Sequence, residues 1–254
     1  IVSRDLGGNV GMKMFWAVIA FGTATVVFSL STNFVVSLVA LVLVRGDGRV
    51  SRSPMTGAAV VGAVAVVASV IALGLWSTGF TSLAITTAFE RRYGVLERLV
   101  ATPLRRTDLM LGKAAMVTAV ALAQAAVLAL AGVAAGWSPR PSIAQTAVAA
   151  GVVVLSLAAF SGLALVLAGR ASAELTLGLA NLVYLLGAAG GLLVPVAAFP
   201  AWAQPVISLL PTTALGETLR TWAGGGVDAL PLIVVAVWAV ADLALARKVF
   251  RWTS

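Results

Sequence analysis

The sequence of 254 residues contains neither cysteine nor histidine. Disulfide bonds, thiol chemistry, imidazole metal ligands and catalysis by a histidine base are therefore excluded for these residues. The sequence also lacks the G-x-x-x-x-G-K-[ST] motif with which a P-loop holds the phosphates of a nucleotide. We expect a chain without a catalytic, cofactor or metal site of its own, in which any ATP-driven step depends on another polypeptide.

Charged residues are also scarce. Only 10% of the residues are charged, 61% are hydrophobic, and the mean hydropathy is +1.06. A soluble domain carries roughly 25% charged residues, so this composition indicates an integral membrane protein. No stretch alternates apolar and polar residues as a strand of an outer-membrane barrel does, and we therefore expect helices. The predicted fold class is an all-α integral membrane protein.

Six apolar stretches are long enough to cross a bilayer, which takes about 20 residues for a helix. They lie at approximately residues 23–44, 57–88, 109–135, 143–168, 175–194 and 229–245. The apolar sequence begins well before residue 23, which predicts a helix lying along the membrane ahead of the first span. Residues 1–254 are predicted to form a single transmembrane domain.

Residues 195–226 differ from the rest because prolines divide them into pieces too short to span a membrane. Trp202 and Trp222 fall in these pieces, and tryptophan is enriched at the boundary between membrane and water. We expect short helices lying at the extracytoplasmic interface before the last span.

The basic residues predict the orientation. With six spans, twelve of the 17 Lys and Arg residues fall on the side that holds both termini. By the positive-inside rule that side is cytoplasmic. The formal net charge of +8 is thus a topology signal, and we expect no nucleic-acid partner.

One segment has a dense charge. The sequence ERRYGVLERLVATPLRRTDLMLGK, residues 90–113, carries six basic and three acidic side chains between two apolar stretches. Val95, Leu96 and Leu99 recur at helical spacing within it, and Pro103 ends or kinks the pattern. A short amphipathic helix at about residues 90–99 is predicted on the cytoplasmic side, where its continuity with the membrane helices would let it transmit a push to them as a lever. Alternatively, the segment is only a basic loop that fixes the topology.

The segment resembles a motif in the permease subunits of ABC-2 type transporters. The residues that carry this resemblance are Glu90, Gly94, Val95, Leu96, Glu97, Leu99, Ala101, Thr102, Pro103, Leu104, Leu109, Gly112 and Lys113. A second stretch, residues 191–220, is similar to the family's segment between its last two spans, with Pro200, Trp202, Pro211 and Arg220 at matching places. By size, the drug-resistance permeases that resemble the daunorubicin exporter look nearest.

The resemblance implies a complex in which two permease chains, identical or homologous, sit on separate ATP-binding subunits that hold ATP and Mg²⁺. Residues 90–99 would be the coupling helix that receives the motion of the ATPase. The implied coupling residues are Glu90, Arg91, Arg92, Gly94, Leu96, Glu97, Arg98, Thr102 and Pro103.

Other polar and small residues give weaker signals. Gln124 and Asn181 lie in mid-span, where they could face a substrate path or form hydrogen bonds between helices. Gly187 and Gly191 have the small-xxx-small spacing of close helix packing, within the chain or in a dimer. Asp242 is expected to pair with a neighbouring arginine rather than to relay protons.

The leading functional hypothesis is a permease subunit of an ATP-driven exporter that moves a hydrophobic or amphipathic molecule, a drug or a lipid, through the cell membrane. An ion-coupled secondary transporter, a polysaccharide or teichoic-acid exporter and a scaffold that transports nothing are the alternatives. Membrane lipids are expected partners in each case.

Overall fold

The structure is a computed structural model that describes residues 57–96, 106–134, 139 and 141–249. Every regular element within these ranges is a helix. The predicted span at residues 23–44 and the interfacial helix ahead of it lie outside the described residues.

The chain begins its described part with one long helix. Helix α1, Gly57–Trp76, runs through a π-helical segment, Ser77–Ser82, into α2, Leu83–Arg92. The other membrane-length helices are α3, Arg106–Ala134, α4, Ile143–Arg170, and α5, Ala173–Gly187, which ends in a second π-helical segment, Ala188–Leu192. A 3₁₀ turn, Val196–Ala198, and the short helices α6, Gln204–Ser208, and α7, Pro211–Ala223, then lead to α8, Leu230–Val249.

Within the described ranges, five helices are long and apolar enough to cross a membrane. They are Ala65–Arg92, Leu111–Val133, Ile143–Arg170, Ala173–Leu192 and Leu230–Val249. They correspond to the second through sixth predicted spans, so the predicted all-α membrane architecture is confirmed, whereas the count of six stays a prediction.

Side-chain caps fix two of the helix starts. Ser142 accepts a hydrogen bond from the backbone of Gln145, whose side chain accepts one from the backbone of Ser142, and together they form a capping box at the start of α4. Ser172 caps α5 in a similar way by accepting from the backbone of Leu175. Helix α5 therefore begins directly after the short turn that follows α4.

The core is centred on three aromatic rings. Trp76 stacks on Phe80 with 4.6 Å between ring centroids, and Phe160 of α4 meets Trp76 edge-on at the same separation. All three side chains are buried. Edge-on and offset-stacked pairs of this kind add to the free energy of burial. The cluster places the first π-helical segment against α4 at the centre of the bundle.

Helices α4 and α8 pack side by side and run in the same direction. Gly151 faces Leu232, and Gly162 faces the backbone of Asp242, so the contacts advance along both helices in the same direction. A Cβ atom at residue 162 would lie 2.7 Å from the Cβ of Asp242. Only glycine permits this approach.

The segment between the last two spans contains the short helices that the prolines predict. Helix α7 packs into the bundle, because most of its side chains are buried, including Thr213, Leu215 and Leu219. Trp202 is exposed, whereas the indole nitrogen of Trp222 donates to Thr146 of α4.

Candidate functional site

The end of α2 lies beside the end of α4 and the start of α5. We call this end of the bundle, with Arg91, Arg92 and Arg170, the basic end. Arg92 forms an ion pair with Glu174, and Arg91 donates to the carbonyl oxygen of Ala171. The arginines that end α2 are thus bonded to the turn between α4 and α5.

A second ion pair connects α2 with α3 at the basic end. Lys113 pairs with Glu90, and their side chains are only 14% and 19% exposed. Those of the Arg92 and Glu174 pair are 50% and 64% exposed. Solvent screens an exposed pair strongly and a sheltered pair less, so the bond between Glu90 and Lys113 contributes more to fixing the helices.

Helix α2 stops at a left-handed glycine. Arg92 is its last residue, Tyr93 begins a turn, and Gly94 has a φ of 67°, a conformation that side chains disfavour. Val95 and Leu96 are helical again, and Leu96 is buried. The structure thus divides the helix expected over residues 90–99, since Glu90, Arg91 and Arg92 form the last turn of the span.

The remaining candidate coupling residues are outside the description. Glu97, Arg98, Thr102 and Pro103 lie in the range 97–105, which the structure does not describe. The described residues that precede this range form a charged helix end, which is bonded to two neighbouring helices. A glycine turn and a buried leucine follow it. Because this helix end continues into a membrane helix, a displacement of residues 97–105 can move that helix directly.

Gln124 and Asn181 do not come together. Gln124 is 4% exposed and accepts a hydrogen bond of 2.7 Å from the hydroxyl of Thr78 in the first π-helical segment. Asn181 is exposed on α5 and donates to the carbonyl oxygen of Leu177 in its own helix. Gln124 therefore bridges two helices, whereas Asn181 faces away from the bundle.

The two candidate packing glycines both lie at contacts within the chain. At Gly187, a Cβ atom would be 2.8 Å from the indole nitrogen of Trp76. Gly191 has a φ of 104°, and a Cβ there would overlap the hydroxyl group of Thr213. The first glycine brings α5 close to α1, and the second brings the broken end of α5 close to α7.

Comparison with known proteins decides the family. A family model described as ABC-2 family transporter protein matches residues 49–246. The chain belongs to the ABC-2 family of transporter proteins. Two proteins of Mycobacterium tuberculosis, from strains CDC 1551 / Oshkosh and ATCC 25618 / H37Rv, are similar to this ABC-2 protein. Each is described as a probable doxorubicin resistance ABC transporter permease protein, DrrC.

Either relative is 26% identical to this ABC-2 protein over 225 residues, which are 84% of the chain and 72% of the relative. No solved structure matches it. The family resemblance carried by the motif at residues 90–113 is therefore confirmed.

The polar cluster around Arg220 was not predicted from the sequence. The guanidinium of this arginine contacts Ser69 of α1, Glu217 of α7 and backbone carbonyls after α5. The spacing of Glu217 and Arg220 at i and i+3 is a signal for an ion pair on one helix. No signal in the sequence connects Arg220 with Ser69, because 151 residues separate them.

Asp242 does not form the ion pair that the sequence predicts. Its side chain is buried in the face of α8 that meets α4, and its Oδ2 atom has no hydrogen-bond partner among the residues that the structure describes. Among the described residues, no arginine forms the expected ion pair with Asp242.

Proposed function

We propose that this ABC-2 protein is the transmembrane permease subunit of an exporter that moves a hydrophobic or amphipathic molecule out of the cell. ATP and Mg²⁺ are bound by a separate subunit, whose hydrolysis drives the export. Membership of the family supports the proposal, as does the similarity to two proteins described as doxorubicin resistance permeases. The lack of a P-loop in the sequence agrees with a separate ATPase.

The arrangement of the basic end is the observation that supports this function best. The helix that ends at Arg92 is bonded to α3 through Glu90 and Lys113, and to the start of α5 through Arg92 and Glu174. An ATPase that pushes on residues 97–105 would thus move three spans together. A loop that only fixed the topology would not need these bonds.

The proposed complex has two permease chains, identical or homologous, on two ATP-binding subunits. Each permease has six spans with both termini in the cytoplasm, and the basic end faces the ATPase. The short helices before the last span lie on the extracytoplasmic side. Exposed apolar side chains along α3 and α5, such as Leu130 and Leu186, would contact lipid or the second permease.

The cargo follows from the scarcity of charge. Among the described residues, the membrane-length helices hold their charged side chains mainly near their ends, and Asp242 is the buried exception. An apolar interior suits a drug or a lipid better than a sugar polymer, so a polysaccharide or teichoic-acid exporter is the less favoured relative.

The experiment is reconstitution of the permease with its ATPase in inverted vesicles. Doxorubicin is the first probe, because the relatives' description names resistance to it. We expect ATP-dependent uptake of the probe, ATP hydrolysis stimulated by it, and loss of both when residues 90–99 are scrambled. Absence of transport and of stimulated hydrolysis for a panel of amphipathic probes would overturn the proposal.

A second candidate function depends on Asp242. A buried carboxyl group with an unpartnered oxygen is what an ion-coupled secondary transporter uses to bind a proton. This alternative needs no ATPase and expects uptake that stops when an ionophore collapses the proton gradient. The ATP-driven exporter expects uptake that continues.

A further inference from the structure

The fifth predicted span ends in a break of the helix, at which backbone carbonyl groups lose their hydrogen bonds within the helix. Gly190 and Gly191 are non-helical, with ψ of 52° at the first and φ of 104° at the second. Carbonyl oxygens that leave a helical ladder inside a membrane must find other donors, because lipid offers none. At this break the donors come from α7.

Helix α7 supplies these donors from three side chains, of which Thr212 makes the longest contact, 3.4 Å to the carbonyl oxygen of Gly190. Thr213 donates to the carbonyl oxygen of Gly190 at 2.8 Å. Arg220 donates from Nη2 to Gly191 at 2.7 Å and from Nη1 to Leu192 at 2.5 Å. The planar fork of an arginine suits such a set of acceptors, whereas a lysine has a single charged nitrogen. One buried arginine therefore holds the broken end of α5 against α7.

The same guanidinium also contacts the first long helix. Its Nη1 atom donates to the hydroxyl oxygen of Ser69 at 3.0 Å, and Ser69 is buried. The helix that carries Ser69 continues through the π-helical segment to Glu90 and Arg92 at the basic end. At about 1.5 Å per residue, the distance along this helix from Ser69 to Glu90 is roughly 30 Å. The arginine contact thus lies near one end of the span Ala65–Arg92, and the basic end lies at the other.

The charge of Arg220 is balanced within its own helix. Nη2 of Arg220 lies 3.0 Å from Oε1 of Glu217, and their side chains are 8% and 28% exposed. Glu217 also accepts a hydrogen bond of 2.7 Å from the backbone of Val196. Bonds from Arg220 to α1 and α5 can therefore break without leaving a bare cation, because Glu217 moves with it. A buried charge without a partner would make such an opening too costly.

We propose that Arg220 is a latch that keeps the extracytoplasmic end of the transporter closed between rounds of export. The latch consists of Arg220 and Glu217 on α7, Ser69 on α1, and the carbonyl groups of Gly191 and Leu192. Motion of the basic end would reach the latch through α2 and α1, which are joined by the π-helical segment Ser77–Ser82. Segments of π-helix are frequent at functional sites, and this one lies between Ser69 at the latch and Glu90 at the basic end. The inference depends on the proposed function and on its topology.

Accessibility of a single cysteine tests the latch. The 254-residue sequence has no cysteine, so Ser69→Cys gives it one thiol at the latch. Permease and ATPase are reconstituted, and a membrane-impermeant maleimide is added from the extracytoplasmic side. We expect slow labelling of the Ser69→Cys variant without nucleotide, and at least tenfold faster labelling once the ATPase is trapped with ATP, Mg²⁺ and vanadate.

Two further single-cysteine variants calibrate the assay. Ala201→Cys places a thiol at an exposed position beside Trp202 and should be labelled quickly in both states. Ser156→Cys places one at a buried position in α4 that is not part of the latch, and should be labelled slowly in both. Equally slow labelling of the Ser69→Cys variant in the two states, with rapid labelling of the Ala201→Cys variant, would overturn the latch.

Substitution of the arginine provides the second arm. When Arg220→Gln is combined with Ser69→Cys, we expect the thiol to be labelled rapidly even without nucleotide, and ATP hydrolysis to continue with less export. Arg220→Lys keeps the charge but loses the fork, and it should give an intermediate labelling rate if Arg220→Gln fails to assemble. Labelling of both combinations as slow as that of Ser69→Cys alone would contradict the latch.

Failure of the latch and failure of the proposed function are distinguishable. The natural chain, reconstituted with its ATPase, is first tested for ATP-driven export. If export is absent, the proposed function fails. If export occurs while the thiol of the Ser69→Cys variant stays protected in every state, only the latch fails.

Discussion

At the scale of single residues, the close approach of α4 and α8 depends on one glycine. A Cβ atom at Gly162 would lie 2.7 to 2.9 Å from the Cβ and backbone atoms of Asp242 and the backbone nitrogen of Leu243. Backbone atoms cannot rotate away as the end of a flexible side chain can. Gly162→Ala should therefore lower the free energy of unfolding by about 1–3 kcal/mol, measured as a lower midpoint of thermal unfolding in detergent.

Gly178 provides the matched control for this prediction. It is also helical, but a Cβ atom added there would meet nothing within 4 Å. Gly178→Ala should leave stability unchanged or raise it by up to about 1 kcal/mol, because alanine favours the helix. Equal losses of stability in the two variants would contradict the packing argument.

The sequence identifies residues by type but not by partner. Glu90 and Lys113 stand out through charge and family motif, yet their mutual bond depends on the angle at which α2 and α3 pack. Arg92 and Glu174 are 82 residues apart, and only the fold brings them together. Pairings of this kind require tertiary contacts that no local pattern contains.

At the scale of helices, the two ion pairs of the basic end should differ in importance. Glu90→Gln leaves Lys113 without its charged partner in a sheltered position, and should cost on the order of 2 kcal/mol. It should also reduce the stimulation of the ATPase by cargo, because α2 and α3 would no longer move together. Thermal unfolding and ATP hydrolysis, measured on one preparation, check both effects.

Glu174→Gln is the comparison for the exposed pair. Since solvent screens Arg92 and Glu174, this substitution should change stability by less than about 0.5 kcal/mol. A larger loss for Glu174→Gln than for Glu90→Gln would show that exposure does not rank these bonds.

The first π-helical segment should be needed for activity and not for folding. A π-helical turn holds an extra residue, so deletion of Thr81 would restore a regular α-helix while α1 and α2 keep their facing residues. We expect unchanged or higher thermal stability, with transport lowered by about tenfold or more, the scale of effect that a misplaced functional element produces. A deletion variant that transports normally would contradict the role of this segment as a joint.

Helix positions are the part of the fold that the sequence predicts best. A length of about 20 apolar residues marks a span, and the second to sixth predicted ranges lie within a few residues of the described helices. The ends differ because local chemistry decides them. The second predicted span ends at 88, yet the helix continues to Arg92 and stops at the turn before Gly94. The π-helical segments Ser77–Ser82 and Ala188–Leu192 could not be predicted, because neither has a hydrophobic pattern that differs from that of an α-helix.

At the scale of the whole molecule, the energy source separates the two candidate functions. An ATP-driven exporter should keep at least about 80% of its initial uptake rate when a protonophore collapses the proton gradient at saturating ATP, because no step then needs a proton. A secondary transporter should lose nearly all uptake. The fluorescence of an amphipathic dye in inverted vesicles gives the rate.

We propose that this permease receives work at its basic end from a separate ATPase subunit. The most direct test of this proposal is a single preparation in which tagged permease is purified with its ATPase, and ATP hydrolysis and dye export are measured together. We expect a stable complex whose ATP hydrolysis is stimulated by cargo, and loss of the ATPase when residues 90–99 are scrambled. Full retention of the ATPase and of stimulated hydrolysis by the scrambled chain would contradict it.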